Sequence, residues 1–412
     1  MTPPATAPAT CPPSALYIHV PFCVSLCPYC DFVVVAGAAA RGPRNRIDAF
    51  VAALEAELDL RADALDARWG TARPALRSLY LGGGTPTLLS AKAIARLIEV
   101  VRRRFGVADD AEVTIEANPG PDERGDAAGL RAAGVTRLSL GAQSLDAGEL
   151  RALGRRHRPG DVAAVVAEAR AAGIGSVSLD LLYDIPGASP ASWATTLEAA
   201  IAIEPDHLSL YALTLDDPDA EGLTGLGGDH LPTTAGARRW RERARRGQDD
   251  DRAAAMYELA DRRLAAAGFA WYEISNWARP GHESRHNLAY WQREPYEAAG
   301  PGAHAFDGAT RRWNAARLDR YVEALTPAGG GPRNLPPGGA ESLSADAAAA
   351  EAIILALRTD RGIDARAASA PPFDRVYPWA LAAGLVEATP EARVALTLRG
   401  RLLSNEVFSR LV

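Results

Sequence analysis

Between Ala15 and Leu215 the chain alternates short aliphatic or β-branched runs with amphipathic helical stretches, six times over. The strand candidates are "ALYIHV", "SLYLGGG", "AEVTIEA", "RLSLGAQ", "SVSLDLLYD" and "HLSLYAL". The first helical stretch puts Ile47, Phe50, Val51, Leu54 and Leu58 on one face, and Ala91–Phe105, Asp161–Ala172 and Ala191–Ile203 follow. Strand–helix units in series require a parallel sheet with right-handed crossovers. Six units of this size fit a barrel or partial barrel better than an open sheet. The expected class is therefore α/β, a partial (β/α)6 TIM-like barrel over residues 15–215. Ligands of such folds gather at the C-terminal ends of the strands. Cysteines follow the first strand here, glycines follow the second, and Glu116 ends the third.

The pattern changes after "YALTLDDPDAEG". Residues 216–326 read as an α+β extension that opens with a basic run, "ARRWRERARRGQDDD", expected to be a solvated helix or loop. Residues 269–321 hold 10 of the chain's 27 aromatic residues, which marks either a second core or a flat ligand surface. A Pro/Gly-rich linker over 327–344 precedes helix, short helix, the hairpin pattern "GLVEATPEARVALTLRG" and a last helix. Residues 345–412 are thus expected to form a small winged-helix-like module. Residues 1–14, rich in Pro, Ala and Thr, read as a disordered tail without the basic start and apolar core of a signal peptide.

"YIHVPFCVSLCPYCDF" carries Cys23, Cys27 and Cys30, three of only four cysteines in 412 residues. That count makes no disulfide framework and places the chain in a reducing cytoplasm. A net charge of −6 and the absence of a long apolar run argue against a general nucleic-acid binder and a membrane span. CxxxCxxC on a loop after a strand brings three thiolates around one inorganic centre. Three ligands suit a [4Fe–4S] cluster with one open iron, whereas electron-transfer clusters take four. Zinc is the alternative, with His19 or Asp31 completing the set. Cys11 is a remote fourth ligand, 12 residues upstream in the tail.

The ordered set "YIHVPFCVSLCPYCDF", "GGGTPT", "EANPG", "RLSLGAQS", "LGRRH", "LDLLYDIPG", "YEISNWA", "RHNLAYW" and "GPGAHAF" resembles the radical S-adenosylmethionine (SAM) enzymes of the coproporphyrinogen III oxidase-like branch. The resemblance runs from Leu16 into the C-terminal module. It implies a [4Fe–4S] cluster on Cys23, Cys27 and Cys30, and a cradle for the methionine end of SAM at Gly83, Gly84 and Thr85. It places Glu116, Gln143, Arg155 and Asp180 around SAM. Arg155 would pair with the methionine carboxylate, for which a planar fork is suited, and Asp180 would accept ribose hydroxyls. Tyr17 and Tyr29 would pack near adenine and cluster. Read without the resemblance, Glu116 is equally a helix cap or surface charge, and Arg155 beside Arg156 a solvated basic turn.

His286 and Tyr290 are four apart and share a helix face, which by itself reads as a core histidine bonded to a tyrosine. The resemblance makes HNxxY a haem-binding pattern of the haem-chaperone members of this branch. His286 and Tyr290 are then haem candidates, with His304 a weaker one and Trp271, Tyr272, Trp277 and Trp291 either a flat wall or core. Two functions follow. An oxidase would cleave SAM and abstract hydrogen from coproporphyrinogen propionates; a chaperone would keep the cluster and SAM site and deliver haem. Asp31-Phe32 after Cys30 in place of the oxidases' Cys-x-Cys, a short N-terminal segment and HNxxY favour the chaperone. Implied partners are haem-acceptor apoproteins and a flavodoxin- or ferredoxin-type electron donor, with room for a homodimer and peripheral membrane contact. "YDIPG" departs from the family pattern, with Asp184 where glycine is usual.

Overall fold

A computed structural model describes residues 11–37, 45–215, 218–327 and 331–412. The six predicted strands are present as β1 (Ala15–Val20), β2 (Leu76–Gly83), β3 (Val107–Ala117), β4 (Arg137–Gln143), β5 (Ser176–Tyr183) and β6 (His207–Ala212). They lie side by side in chain order and are parallel throughout. Side chains alternate across a strand, so each strand has two characters. Leu16, Ile18 and Val20 of β1, Leu79 and Leu81 of β2, and Leu138 and Leu140 of β4 are buried in the apolar core under the helices. Tyr17, His19, Ser78, Tyr80, Glu116, Ser139, Asp180, His207 and Ser209 occupy the other face. Covering one face with helices and leaving the other polar is what the sequence alternation demands.

The helices follow their apolar stripes. Ala91–Phe105 buries Ile94, Leu97, Ile98, Val101 and Phe105; Ser90 caps it by accepting from the Ala93 N–H at 3.2 Å, and Gly106 at φ +73° ends it. Asn45–Trp69 packs Phe50, Leu54 and Leu58 into the same core.

The extension is continuous with this sheet. β7 (Ala270–Glu273) and β8 (Asn276–Ala278) form a hairpin that adds to β6 through β8. On the other side β9 (Tyr296–Ala299) pairs parallel with β1, followed outward by β10 (His304–Phe306), β11 (Thr310–Asn314) and β12 (Gly338–Ser342). The result is one 12-stranded sheet that does not close on itself among the described residues. Residues 15–215 are therefore not a separate layer from 216–326. β12 also corrects the linker expected over 327–344. Gly338 and Gly339 pair with Asn314 and Trp313, and a Cβ on Gly339 would lie 2.3 Å from the Trp313 ring, so the glycines serve close packing. Residues 1–10 of the expected tail and 328–330 of the linker lie outside the described residues.

Glu57, fully buried in the first helix, locks the extension in place. It accepts from the Gly300 N–H at 2.8 Å, the Tyr321 hydroxyl at 2.7 Å and Asn314 Nδ2 at 2.8 Å, and pairs with Arg61 at 3.1 Å. Residues 345–412 carry their own apolar cluster around Leu357, Phe373, Val394 and Val407. Their sheet runs β13 (Ile363–Asp364), β15 (Arg393–Leu396), β14 (Val386–Ala388), so the hairpin pattern is realised. Arg401 ties this module to the extension by donating to both carboxylate oxygens of Asp261, at 2.9 and 3.2 Å.

Candidate cofactor site

A cavity of about 710 Å³ opens on the polar face of the sheet. Cys23, Cys27, Cys30 and Tyr29 line it on the loop after β1, Gly83 and Gly84 at the end of β2, Glu116 at the end of β3, Gln143 at the end of β4, and Asp180 in β5. Arg155 lines it from the loop after the short helix Ala147–Ala152. Residues dispersed over more than 150 positions meet because each sits at or near the same end of a parallel strand.

The cysteine loop is closed at its base, where Phe22–Cys23 pairs with Val35–Ala36. Cys23 Sγ lies 3.4 Å from Thr85 Oγ1, which also accepts from Asn118 Nδ2 at 2.8 Å. Gly84 donates to Val20 O at 2.9 Å and Thr85 to Phe22 O at 2.7 Å, so the glycine turn and the cysteine loop share one backbone seam. A Cβ on Gly84 would stand 2.6 Å from Phe22 O. Gly83, at φ +108°, gives its N–H to Glu116 Oε2 at 2.8 Å, while the Tyr80 hydroxyl donates to Oε1 at 2.8 Å. Burial still pushes the Glu116 carboxyl up to about 7 against the Tyr80 bond, with Asp180 adding to the rise. Burial likewise raises Asp180, opposed by hydroxyls of Ser209 and Ser139.

Arg155 donates to Gly141 O at 2.7 Å, to Asn118 Oδ1, and to Cys27 Sγ at 3.6 Å, and its buried Nε has no partner. Arg156 beside it is exposed. The guanidinium thus stands between the cysteines and the cavity with donor capacity to spare, which suits a carboxylate. Burial pushes the Cys23 thiol up to about 12 and raises Cys30 as well, so loading a metal centre displaces their protons. Three thiols on one loop beside the cavity fit a cluster, whose ligands bind separate irons. His19, the other suggested zinc ligand, spends Nε2 on Val33 O at 2.8 Å and Nδ1 on the Tyr17 hydroxyl at 3.0 Å.

One residue of the "solvated" basic run belongs to this site. Arg241 is buried on the helix Ala235–Arg245 and donates Nε to Pro28 O at 3.1 Å and Nη2 to Cys30 O at 2.9 Å. The available signal was its spacing from Ala237 and Ala244, both buried on the same face. Asn118, between Arg155 and Thr85, was also missed. Asp184 stands at φ +54°, a left-handed conformation in which glycine is cheaper. Its buried carboxylate is held by Arg252 Nε at 2.7 Å and by the Asp249 N–H at 3.3 Å, which offsets the strain.

The remaining expected residues fall elsewhere. Tyr17 faces a second cavity of about 280 Å³ with His19, Phe32, Tyr290 and His304, and is not among the residues lining the first. His286 is buried, with Nδ1 on Ser78 Oγ at 2.9 Å and Nε2 on the Tyr290 hydroxyl at 2.8 Å. Burial lowers its pKa to about 3, so it is a neutral, doubly engaged imidazole. The member of HNxxY that reaches the main cavity is Asn287. Trp277 is core, while Arg401 and Arg358 lie over Trp271 and Trp291 at 4.3 Å; these rings do not form one wall. Phe32 is 64% exposed and lines both cavities.

The Radical SAM superfamily model matches residues 17–200. The chain is 42% identical over 409 residues to "Heme chaperone HemW" of Mycobacterium tuberculosis, covering 99% of this chain and 97% of that one. The chain belongs to the HemW family. Its identity to the Bacillus subtilis HemW is 31%, covering 95% and 97% of the two chains. Among solved structures, coproporphyrinogen III oxidase (HemN) from Escherichia coli, described as a radical SAM enzyme, superposes with a TM-score of 0.77 at 24% identity. That match covers 97% of this chain and 90% of HemN, and establishes the fold that HemW and HemN share. The superfamily to which HemW belongs is built on a [4Fe–4S] cluster and SAM, as the cysteine motif implied.

Proposed function

We propose that this chain is a haem chaperone that carries a [4Fe–4S] cluster and SAM and delivers haem to acceptor apoproteins. The observation that carries the reading is the 42% identity, along nearly the entire length, to a protein named heme chaperone HemW. The cavity supports the cofactor half of it. Cys23, Cys27 and Cys30 would hold the cluster, and the open iron would supply a site for the amino and carboxylate groups of SAM. Gly83, Gly84 and Thr85 shape the turn beside it, Arg155 offers spare donors to a carboxylate, and Glu116, Gln143 and Asp180 line the space beyond. Phe32, where oxidases of the branch continue their cysteine motif, supports the chaperone over coproporphyrinogen oxidation. Among the described residues no helix is long and apolar enough to cross a membrane. A cytoplasmic setting, a flavodoxin- or ferredoxin-type donor and haem acceptors complete the reading.

The test is anaerobic. Reconstituted protein given SAM, a reductant and coproporphyrinogen III should form no vinyl product, yet should bind haem and pass it to an apoprotein. Vinyl product at turnover would mean an oxidase. The same preparation checks the cluster: Cys11→Ser should keep its iron–sulfur absorption, and Cys27→Ser should lose it.

A further inference from the structure

The main cavity has a second, chemically different end. Along β4 it is lined by Arg137, Ser139, Gly141 and Gln143, every second residue from the first to the last of the strand. Six steps of about 3.3 Å each make it roughly 20 Å long. Gln143 and Gly141 mark the end shared with Arg155 and the cysteines. Arg137 donates to His282 O at 3.1 Å, three residues before the helix Arg285–Trp291 that carries Asn287, and Arg358, Ser404 and Asn405 from the C-terminal part of the chain line the same cavity.

These groups are nearly all hydrogen-bond donors or dual-purpose groups. Of the carboxylates nearby, Asp180 accepts from Ser139 Oγ at 3.1 and 3.2 Å, and Glu273 is fully buried and already accepts from Ser275 N at 3.1 Å and from Asn276 Nδ2. Arg358 meets it only through one long contact, at 3.5 Å, and the buried Nε of Arg358 has no partner. Its guanidinium lies 4.3 Å over Trp291, on the helix that also carries Asn287. A guanidinium left with unused buried donors in a cavity is an unfilled anion site, because burial makes each missing partner costly.

We infer that the Arg137–Asn287–Arg358 end, completed by Ser404 and Asn405, binds the carboxylates of the porphyrin. The residues after the linker are then a wall of the ligand cavity, and the porphyrin's carboxylate edge is anchored at the end remote from the cluster. This deepens the haem-chaperone reading and rests on it. It also assigns a ligand contact within HNxxY to Asn287, with His286 as the positioning residue that holds the helix on Ser78.

Haem and its dimethyl ester, in which both carboxylates are blocked, are the probes, titrated spectroscopically into the cluster-loaded full chain. The wild type should prefer haem over the ester. Arg358→Gln should weaken haem binding about 10- to 100-fold, as loss of a charge-assisted bond does, and leave ester binding unchanged. Asn405→Ala, which breaks no ion pair, should narrow the preference by severalfold and serves should Arg358→Gln fail to fold. SAM affinity should be unchanged in both. A wild type that prefers haem together with a folded Arg358→Gln or Asn405→Ala that keeps the full preference overturns the inference but leaves the chaperone reading intact. Failure of the wild type to bind either porphyrin overturns the chaperone reading and the inference with it.

Discussion

Arg241 shows how a single side chain can belong to a site that its neighbours in sequence do not reach. "RRWRERARR" reads as solvent-facing, and Arg239 and Arg243 are exposed as expected. Arg241 instead inserts between helix and cysteine loop and satisfies two carbonyls of the motif. Arg241→Gln should lower stability by about 2–3 kcal/mol, as removal of buried charge-assisted bonds does. It should also reduce the iron retained after anaerobic reconstitution, whereas Arg239→Gln should change neither. Equal iron content in the two variants would show that the loop is held without Arg241. His286 carries the opposite lesson. The bland reading of its spacing, a core histidine bonded to Tyr290, describes its contacts, with both ring nitrogens in hydrogen bonds.

At the scale of elements, the strand-end turns do the assembling. The Gly82–Gly84 turn was legible as a close-approach signal, but what it approaches was not. It abuts the backbone of Phe22, one residue before the first cysteine, so turn and loop fix each other. Gly84→Ala should force this seam apart, at a cost of about 1–3 kcal/mol typical of overpacking, and weaken both cluster retention and SAM binding. Gly160→Ala, in the helix Pro159–Ala171 with nothing within 4 Å of the added methyl, is the matched control and should be neutral or slightly stabilising. Iron content and SAM titration of the pair decide the point. Gly84→Ala matching its control on both would show the seam to be slack.

For the molecule as a whole, the polar sheet face sets the response to acid. Burial holds His19 and His157 down to about 4, His286 to about 3, and His207 well below its ordinary value. All four are neutral when folded and gain protons on unfolding below about pH 6.5, so stability falls as pH drops. Each of them lowers stability as pH falls from 6.5 to 5. Glu116 acts in the reverse sense. Its carboxyl, raised to about 7, keeps a proton that the unfolded chain gives up above about 4.5, which adds stability as pH falls through that window. Asp180, Glu273 and Asp360, also raised by burial, act with Glu116, and His304, also lowered, acts with the other histidines. Only the histidines have unfolded values inside the window, so the melting temperature of the metal-free protein should fall from pH 6.5 to 5. A flat or rising profile in scanning calorimetry would contradict the burial of these histidines.

The sequence by itself determined the parallel strand order's raw material, the two-faced strands and the cysteine motif, because period-2 and period-3.6 patterns record which face of each element is buried. Chemistry placed at strand ends was legible for the same reason: parallel strands bring those ends together, and Cys23, Gly83, Glu116, Gln143 and Asp180 all line one cavity. Only the tertiary structure decided that Arg241 grips the cysteine loop, that Tyr17 and His286 do not line the cavity of the three cysteines, and that Arg358, Ser404 and Asn405 reach that cavity from the far end of the chain. Those contacts join residues some 200 or more positions apart in sequence. They depend on where whole elements dock, which no local period encodes.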